Sequence, residues 1–290
     1  MAKAMEKPLV FDICGSPVLG VLHQPSDSPE IGIIMVAAGG PQYHVGCSRQ
    51  LLTWARKFSD AGFAVLRFDY RGMGDSGGEF KGFEEVNGDL RAAVDQLLLQ
   101  SPSIKQVVFW GGCNAASAIL MYVHHDPRVK QVIALNPWIR TQAAEAQVQV
   151  KYYYLQRLTQ KSFWLKLLSG KLNPLKAAQS LLAALAKMRG AGLPVHEADS
   201  ESGKARPPVS ERIRCGLEGF NGEVLLLLSG KSLEAQQFDA TVNSTKLWKQ
   251  TMKGVRLTRQ ELPDAGHTFA TRESQDAAFD AALNWLRRSV

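Results

Sequence analysis

The stretch Phe109-Trp-Gly-Gly-Cys113-Asn-Ala-Ala-Ser117 constrains this chain more than any other. An apolar run ending at Trp110 passes through two glycines straight into a helical pattern from about Asn114 to His125, leaving no room for a loop. A strand that turns so sharply into a helix forces its middle residue, Cys113, into a strained backbone geometry. It admits only small residues two positions to either side, here Gly111 and Ala115. Such a junction presents one side chain at the carboxyl edge of a sheet, over a helix N-terminus. The competing reading is a buried structural cysteine at a tight turn.

The junction sits inside a repeating rhythm. Leu9–Cys14 and Val18–Leu22 flank Gly15-Ser-Pro17 and predict an antiparallel hairpin. Ile31–Ala37 is an apolar run of the kind buried on both faces of a parallel sheet. Then follow a helical pattern over Gln50–Ala61, a strand at Phe63–Phe68, a helix over about Phe83–Gln100, a strand at Gln106–Trp110, the helix after Cys113, and a strand at Val129–Leu135. This alternation predicts an α/β fold with a doubly wound, mostly parallel sheet. At Pro137 it breaks, and residues 138–217 hold helix-like stretches and a Gly/Pro/Ser-rich tail but no convincing strand. It resumes with a strand at Val224–Leu228, one helix over about Glu234–Lys249, a strand at Val255–Leu262 and a last helix from about Ser274 to Arg287. The expectation is a core made of residues 1–137 and 218–290, interrupted by a helical cap at 138–217.

Charge marks the same insertion. The chain carries a net +7, and between Arg140 and Leu217 there are 13 Lys and Arg against 5 Asp and Glu, so the rest is close to neutral. A solvated face is the plain reading of that excess. The cap also interleaves Tyr152-Tyr153-Tyr154, Phe163-Trp164 and Leu167-Leu168 with lysines. Either these residues bury one side of the cap on the core, or they meet an acyl chain or an anionic lipid surface. No motif points to nucleic acid. The four cysteines (14, 47, 113 and 215) are widely spaced, which argues against zinc and against a disulfide framework, so no metal and no cofactor are expected. The N-terminal residues lack a signal-like apolar run, and no run is long enough to cross a bilayer, so a cytoplasmic location is expected.

The chemistry expected of Cys113 is nucleophilic attack on an acyl group. The helix N-terminus would favour its thiolate. The backbone N–H of Asn114 would hold a developing oxyanion, with a second donor from the loop Gly39-Gly40-Pro41-Gln42. Pro41 has no N–H, which leaves Gly40 or Gln42. His267 follows the last strand and precedes the last helix, the position from which a base reaches the same sheet edge. An acid is expected after Val224–Leu228. The nearest is Glu234; Asp239 and Asn136 are alternatives for orienting the imidazole, since an amide serves in some Cys-His-Asn sites. Gly74-Asp-Ser-Gly-Gly78 formally matches a nucleophile motif, but its strand ends too early and no helix follows, so it reads as a structural loop.

Through these residues the chain resembles the α/β-hydrolase superfamily. Gly39-Gly-Pro-Gln-Tyr43, Arg67-Phe-Asp-Tyr-Arg-Gly-Met-Gly-Asp75, Cys113-Asn-Ala-Ala-Ser117 and Asn136-Pro-Trp138 are most similar to the exosortase A system-associated hydrolase 1 family. The resemblance implies an α/β-hydrolase fold and an ester or thioester hydrolase acting on a small acyl substrate. It also implies a setting beside bacterial exopolysaccharide and protein-sorting systems, and the basic cap adds the expectation of contact with an anionic inner-membrane surface or with envelope-biosynthesis proteins. An acyltransferase, or a weakened hydrolase-like scaffold recruited through the basic cap, are the alternatives. Asn114 stands where that family usually has Asp, and Ser232 where its post-strand Asp is usual.

Overall fold

A computed structural model describes residues 5–40, 43–139 and 206–288. Eight strands form one sheet: β1 (Met5–Ile13), β2 (Ser16–Gln24), β3 (Ile31–Val36), β4 (Ala64–Phe68), β5 (Gln106–Gly112), β6 (Val129–Leu135), β7 (Glu223–Ser229) and β8 (Arg256–Leu262). They lie in the order β1-β2-β4-β3-β5-β6-β7-β8. β1 pairs with β2 and β2 with β4 antiparallel, and every other pairing is parallel. This is the α/β-hydrolase fold, a mostly parallel sheet with helices on both faces.

The sequence dictates this layering. All six residues of β3 and all five of β4 are buried, so a helix must cover each side of these strands. The helices are α1 (Gln50–Asp60), α2 (Asn87–Gln100), α3 (Cys113–Tyr122), α4 (Val209–Gly219), α5 (Leu233–Val242), α6 (Lys246–Gly254) and α7 (Arg272–Arg288). α1 packs against α7, where Phe58 meets Phe279 and Trp54 donates its indole N–H to the Gln275 carbonyl at 2.9 Å. α2, α3 and α4 pack together elsewhere on the sheet. β8 closes one edge as a largely exposed strand carrying Arg256, Arg259 and Glu261, charges that suit an edge.

Two features differ from the expectation. The single helix read over Glu234–Lys249 is two, because the chain turns at Asn243–Thr245 and the Thr245 hydroxyl caps α6 by accepting from the Trp248 N–H at 3.1 Å. And α4, which falls within the stretch read as cap, contributes Ile213 and Leu217 to the core and packs on α3. The cap's aromatic and basic residues from Arg140 to Lys204 lie outside the described residues.

The topology fixes where chemistry gathers. From β3 the chain crosses to β4 on one side and later to β5 on the other, so a crevice opens beyond the carboxyl ends of β3 and β5. The loop after β3, the turn after β5 and the loops after β7 and β8 all end there.

Candidate active site

Cys113 is the first residue of α3, directly after β5, and its φ is 52°. A non-glycine residue in this left-handed region is strained. The strain is held by close packing beneath the turn. A Cβ on Gly111 would lie 2.5 Å from Ile119 Cδ1 and 3.0 Å from the Ala115 backbone, so only glycine lets strand and helix meet this closely. From the far side the Trp138 N–H donates to the Cys113 carbonyl at 3.2 Å, and the Ser117 hydroxyl donates to the Trp138 carbonyl at 2.5 Å.

The half-buried Cys113 opens on a cavity of about 150 Å³ whose apolar wall includes Val36, Leu51, Trp54, Trp110 and Phe269; His267 and Cys47 also line it. Among the described residues no hydrogen bond joins Cys113 to His267; they share the cavity. Burial pushes the Cys113 thiol up from its ordinary value. The Asn114 backbone N–H, hydrogen-bonded to the sulfur, pulls the other way, and the neighbouring Glu234 and Cys47 add to the rise. The backbone donor at the helix N-terminus favours the thiolate, and desolvation outweighs it.

The loop after β3 is anchored by the Asn114 side chain. Its Oδ1 accepts from the Gly39 N–H at 2.7 Å and its Nδ2 donates to the Gly39 carbonyl at 3.2 Å, with Gly39 at a φ of 99°. The Gly39 N–H is therefore occupied. Gly40 stands exposed next to it, and Gln42 lies outside the described residues. At the loop's far end His44 Nδ1 lies 2.6 Å from Oδ2 of the fully buried Asp69, whose Oδ1 has no hydrogen-bond partner among the described residues.

His267 lies in the loop between β8 and α7. Its Nδ1 is 3.0 Å from Glu234 Oε2 and 3.0 Å from Ser232 Oγ, so Glu234, named from sequence, does meet the ring. The two other candidates for orienting the ring do not. Asp239 is drawn outward on α5 by an ion pair with Arg259 of β8. Asn136, buried with a φ of 45°, holds backbone instead: Nδ2 donates to the His267 carbonyl at 3.1 Å and to Ser229 Oγ at 2.8 Å, while Oδ1 accepts from the Ser229 N–H at 2.8 Å. It ties the ends of β6 and β7 to the histidine loop without touching the imidazole. Ser232 thus meets the ring as well, and its place just before a helix is the sequence signal for a cap.

Gly74–Gly78 is a structural loop, as read. The Ser76 hydroxyl donates to the Asp69 carbonyl at 2.5 Å and accepts from the Leu19 N–H at 2.9 Å. Among the described residues no group of three His, Cys, Asp or Glu could hold a metal ion, and no helix is long and apolar enough to cross a membrane.

Comparison with known proteins agrees with this architecture. The family described as serine aminopeptidase S33 (Hydrolase 4) matches residues 31–188. An uncharacterized protein of Rickettsia prowazekii is 30% identical over 116 residues, 39% of this chain and 48% of that protein. The chain thus spans about half the length of the curated relative it matches. Among solved structures, an esterase of Pyrococcus furiosus superposes with a TM-score of 0.62 at 14% identity, covering 98% of this chain and 91% of the other. A dienelactone hydrolase of Anabaena variabilis gives 0.58 at 13% identity, covering 99% of each chain. A serine hydrolase without a lid from Xanthomonas campestris gives 0.55 at 14%, covering 97% and 94%.

Proposed function

The chain belongs to the serine aminopeptidase S33 family of α/β-hydrolases, and from that premise we propose that it is a cysteine-dependent hydrolase of acyl esters or thioesters. The observation that carries this reading is a cysteine at a φ of 52° on the β5–α3 turn, sharing one cavity with a histidine whose Nδ1 lies 3.0 Å from a carboxylate. In the proposed reaction the Cys113 thiol gives its proton to His267 Nε2 as the sulfur attacks the acyl carbon. The oxyanion rests on the Asn114 N–H and on a donor from Gly40 or Gln42. The leaving alcohol or thiol departs with the proton from His267. Water then attacks the acyl-enzyme, again through His267, and frees the acid. Because burial pushes the thiol up, the resting sulfur is protonated at neutral pH, and the proton must move within the attack itself.

The wall beside Cys113 is apolar and aromatic, which suits a small uncharged acyl group. The names of the Pyrococcus and Anabaena neighbours, an esterase and a dienelactone hydrolase, lend support at the level of reaction class. The test is turnover of p-nitrophenyl esters and acyl-CoA, with mass spectrometry of acid-quenched enzyme. Cys113→Ala should lose at least a hundredfold in kcat and the acyl adduct on the peptide carrying residue 113. Equal turnover in wild type and Cys113→Ala overturns the reading.

A second reading, a hydrolase-derived scaffold, has in its favour the raised thiol, which slows attack on any acyl carbon; an acyltransferase would share every step up to the acyl-enzyme and differ only in the acceptor. The setting proposed for either is cytoplasmic and peripheral to the inner membrane, beside exopolysaccharide and exosortase systems. The net +8 between Arg140 and Leu217 supports contact with anionic lipid. Co-sedimentation of the full chain with anionic vesicles at low salt tests that part, and its absence removes it.

A further inference from the structure

Ser232 replaces a carboxylate only in name. It is 1% exposed and ends the turn after β7 as the N-cap of α5, where its Oγ accepts from the Ala235 N–H at 3.2 Å. The same oxygen lies 3.0 Å from Glu234 Oε2 and 3.0 Å from His267 Nδ1, and those two atoms are themselves 3.0 Å apart. Each group's donors and acceptors decide how this triangle is wired. A hydroxyl has one proton and two lone pairs, and an ionised carboxylate only accepts. The Ser232 proton therefore goes to Glu234, and the Ala235 N–H takes one lone pair. The remaining lone pair faces Nδ1, which must then carry the ring's proton, shared between Ser232 Oγ and Glu234 Oε2.

The geometry points to Ser232 as a positioning residue that fixes His267 in its Nδ1–H tautomer and holds the Glu234 carboxylate against the ring; this rests on the hydrolase reading above. Glu234 and His267 are 30% and 28% exposed at their side chains, so water competes for both, and Glu234 reaches the ring on a flexible stem. Ser232 is the buried corner, on the shortest side chain of the three. With Nδ1–H fixed, Nε2 is bare and able to take the proton of the Cys113 thiol. If the tautomer reversed, Nε2 would carry hydrogen and could not act as a base.

The test combines kinetics with a readout that needs no turnover. Ser232→Gly removes the hydroxyl but keeps a residue that helix N-caps tolerate well, and Ser232→Thr keeps the hydroxyl. Expected for Ser232→Gly is a kcat lower by roughly tenfold or more at unchanged KM, with Ser232→Thr near wild type. Imidazole ¹⁵N spectra of full-length protein, taken at about pH 8 where free imidazole is neutral, should show Nδ1–H dominant in wild type and Ser232→Thr. The Nε2–H form should appear in Ser232→Gly. An unchanged tautomer in Ser232→Gly overturns the assignment, since Glu234 alone would then set it; so does a loss of kcat that threonine does not restore. Should Cys113→Ala turn over like wild type, the hydrolase reading falls while the spectra still decide the tautomer.

Discussion

Asn114 carries two duties in one residue. Its backbone N–H reaches the Cys113 sulfur, and its side chain both donates to and accepts from Gly39. A carboxylate in its place could accept from the Gly39 N–H but not donate to the carbonyl, and its second oxygen would face that carbonyl's lone pairs. Asn114→Asp should therefore loosen the oxyanion loop and lower kcat by about tenfold, while the thermal midpoint stays near wild type; steady-state kinetics and a melting curve check both. Cys113 and His267 were legible in the sequence because each follows a recognisable strand, and strand ends define the sheet edge. Glu234 was legible because a long side chain starting just past β7 spans the gap to the last loop. The roles of Asn136 and Asp239 were not. Asn136 is captured by β7 and by the backbone of residue 267, and Asp239 by Arg259, partners far away in sequence that only the assembled sheet supplies.

At the scale of elements, the buried parallel strands are legible because they are continuous apolar runs with sharp ends, whereas β1 begins four residues before the apolar run at Leu9. Helix boundaries were less legible. The break between α5 and α6 depends on a hydroxyl cap inside an otherwise unbroken polar-apolar pattern. α4 was assigned to the cap because its core-facing residues, Ile213 and Leu217, are few among charges, and its packing depends on one close approach. There a Cβ on Gly216 would lie 2.0 Å from the Leu120 carbonyl oxygen of α3. Backbone offers no rotamer to escape into, so Gly216→Ala must push α4 off α3, at about 1–3 kcal/mol. Gly254, at the end of α6, has nothing within 4 Å of such a Cβ and serves as the control. Chemical denaturation of both variants should show a loss for Gly216→Ala and little change for Gly254→Ala.

For the whole molecule, the buried polar centre beneath the sheet's antiparallel side sets how stability responds to acid. His23 of β2 is fully buried; its Nε2 accepts from the Arg67 Nε–H of β4 at 2.9 Å, and Glu6 of β1 lies 3.7 Å from Nδ1. Burial, and then the positive charge of Arg67, push the His23 pKa down to about 4, against the opposing pull of Glu6; Arg56 and His44 press weakly in the same downward direction. A folded-state value below the unfolded one means that stability is complete above the unfolded value, about 6.5, and is lost as pH falls toward 4. The loss amounts to roughly 3 kcal/mol at most. Urea midpoints measured across that window should fall in wild type and stay flatter in His23→Gln. The division of the core around residues 140–205 has one more consequence. Gly39, Cys113 and Asn114 precede that stretch, Glu234 and His267 follow it, and the parallel pairing of β6 with β7 brings the two sets together. A ribosome therefore delivers the nucleophile long before its base. On the proposed mechanism the growing chain stays chemically silent until β8 and its following loop have docked, so a product truncated anywhere before that point is inert.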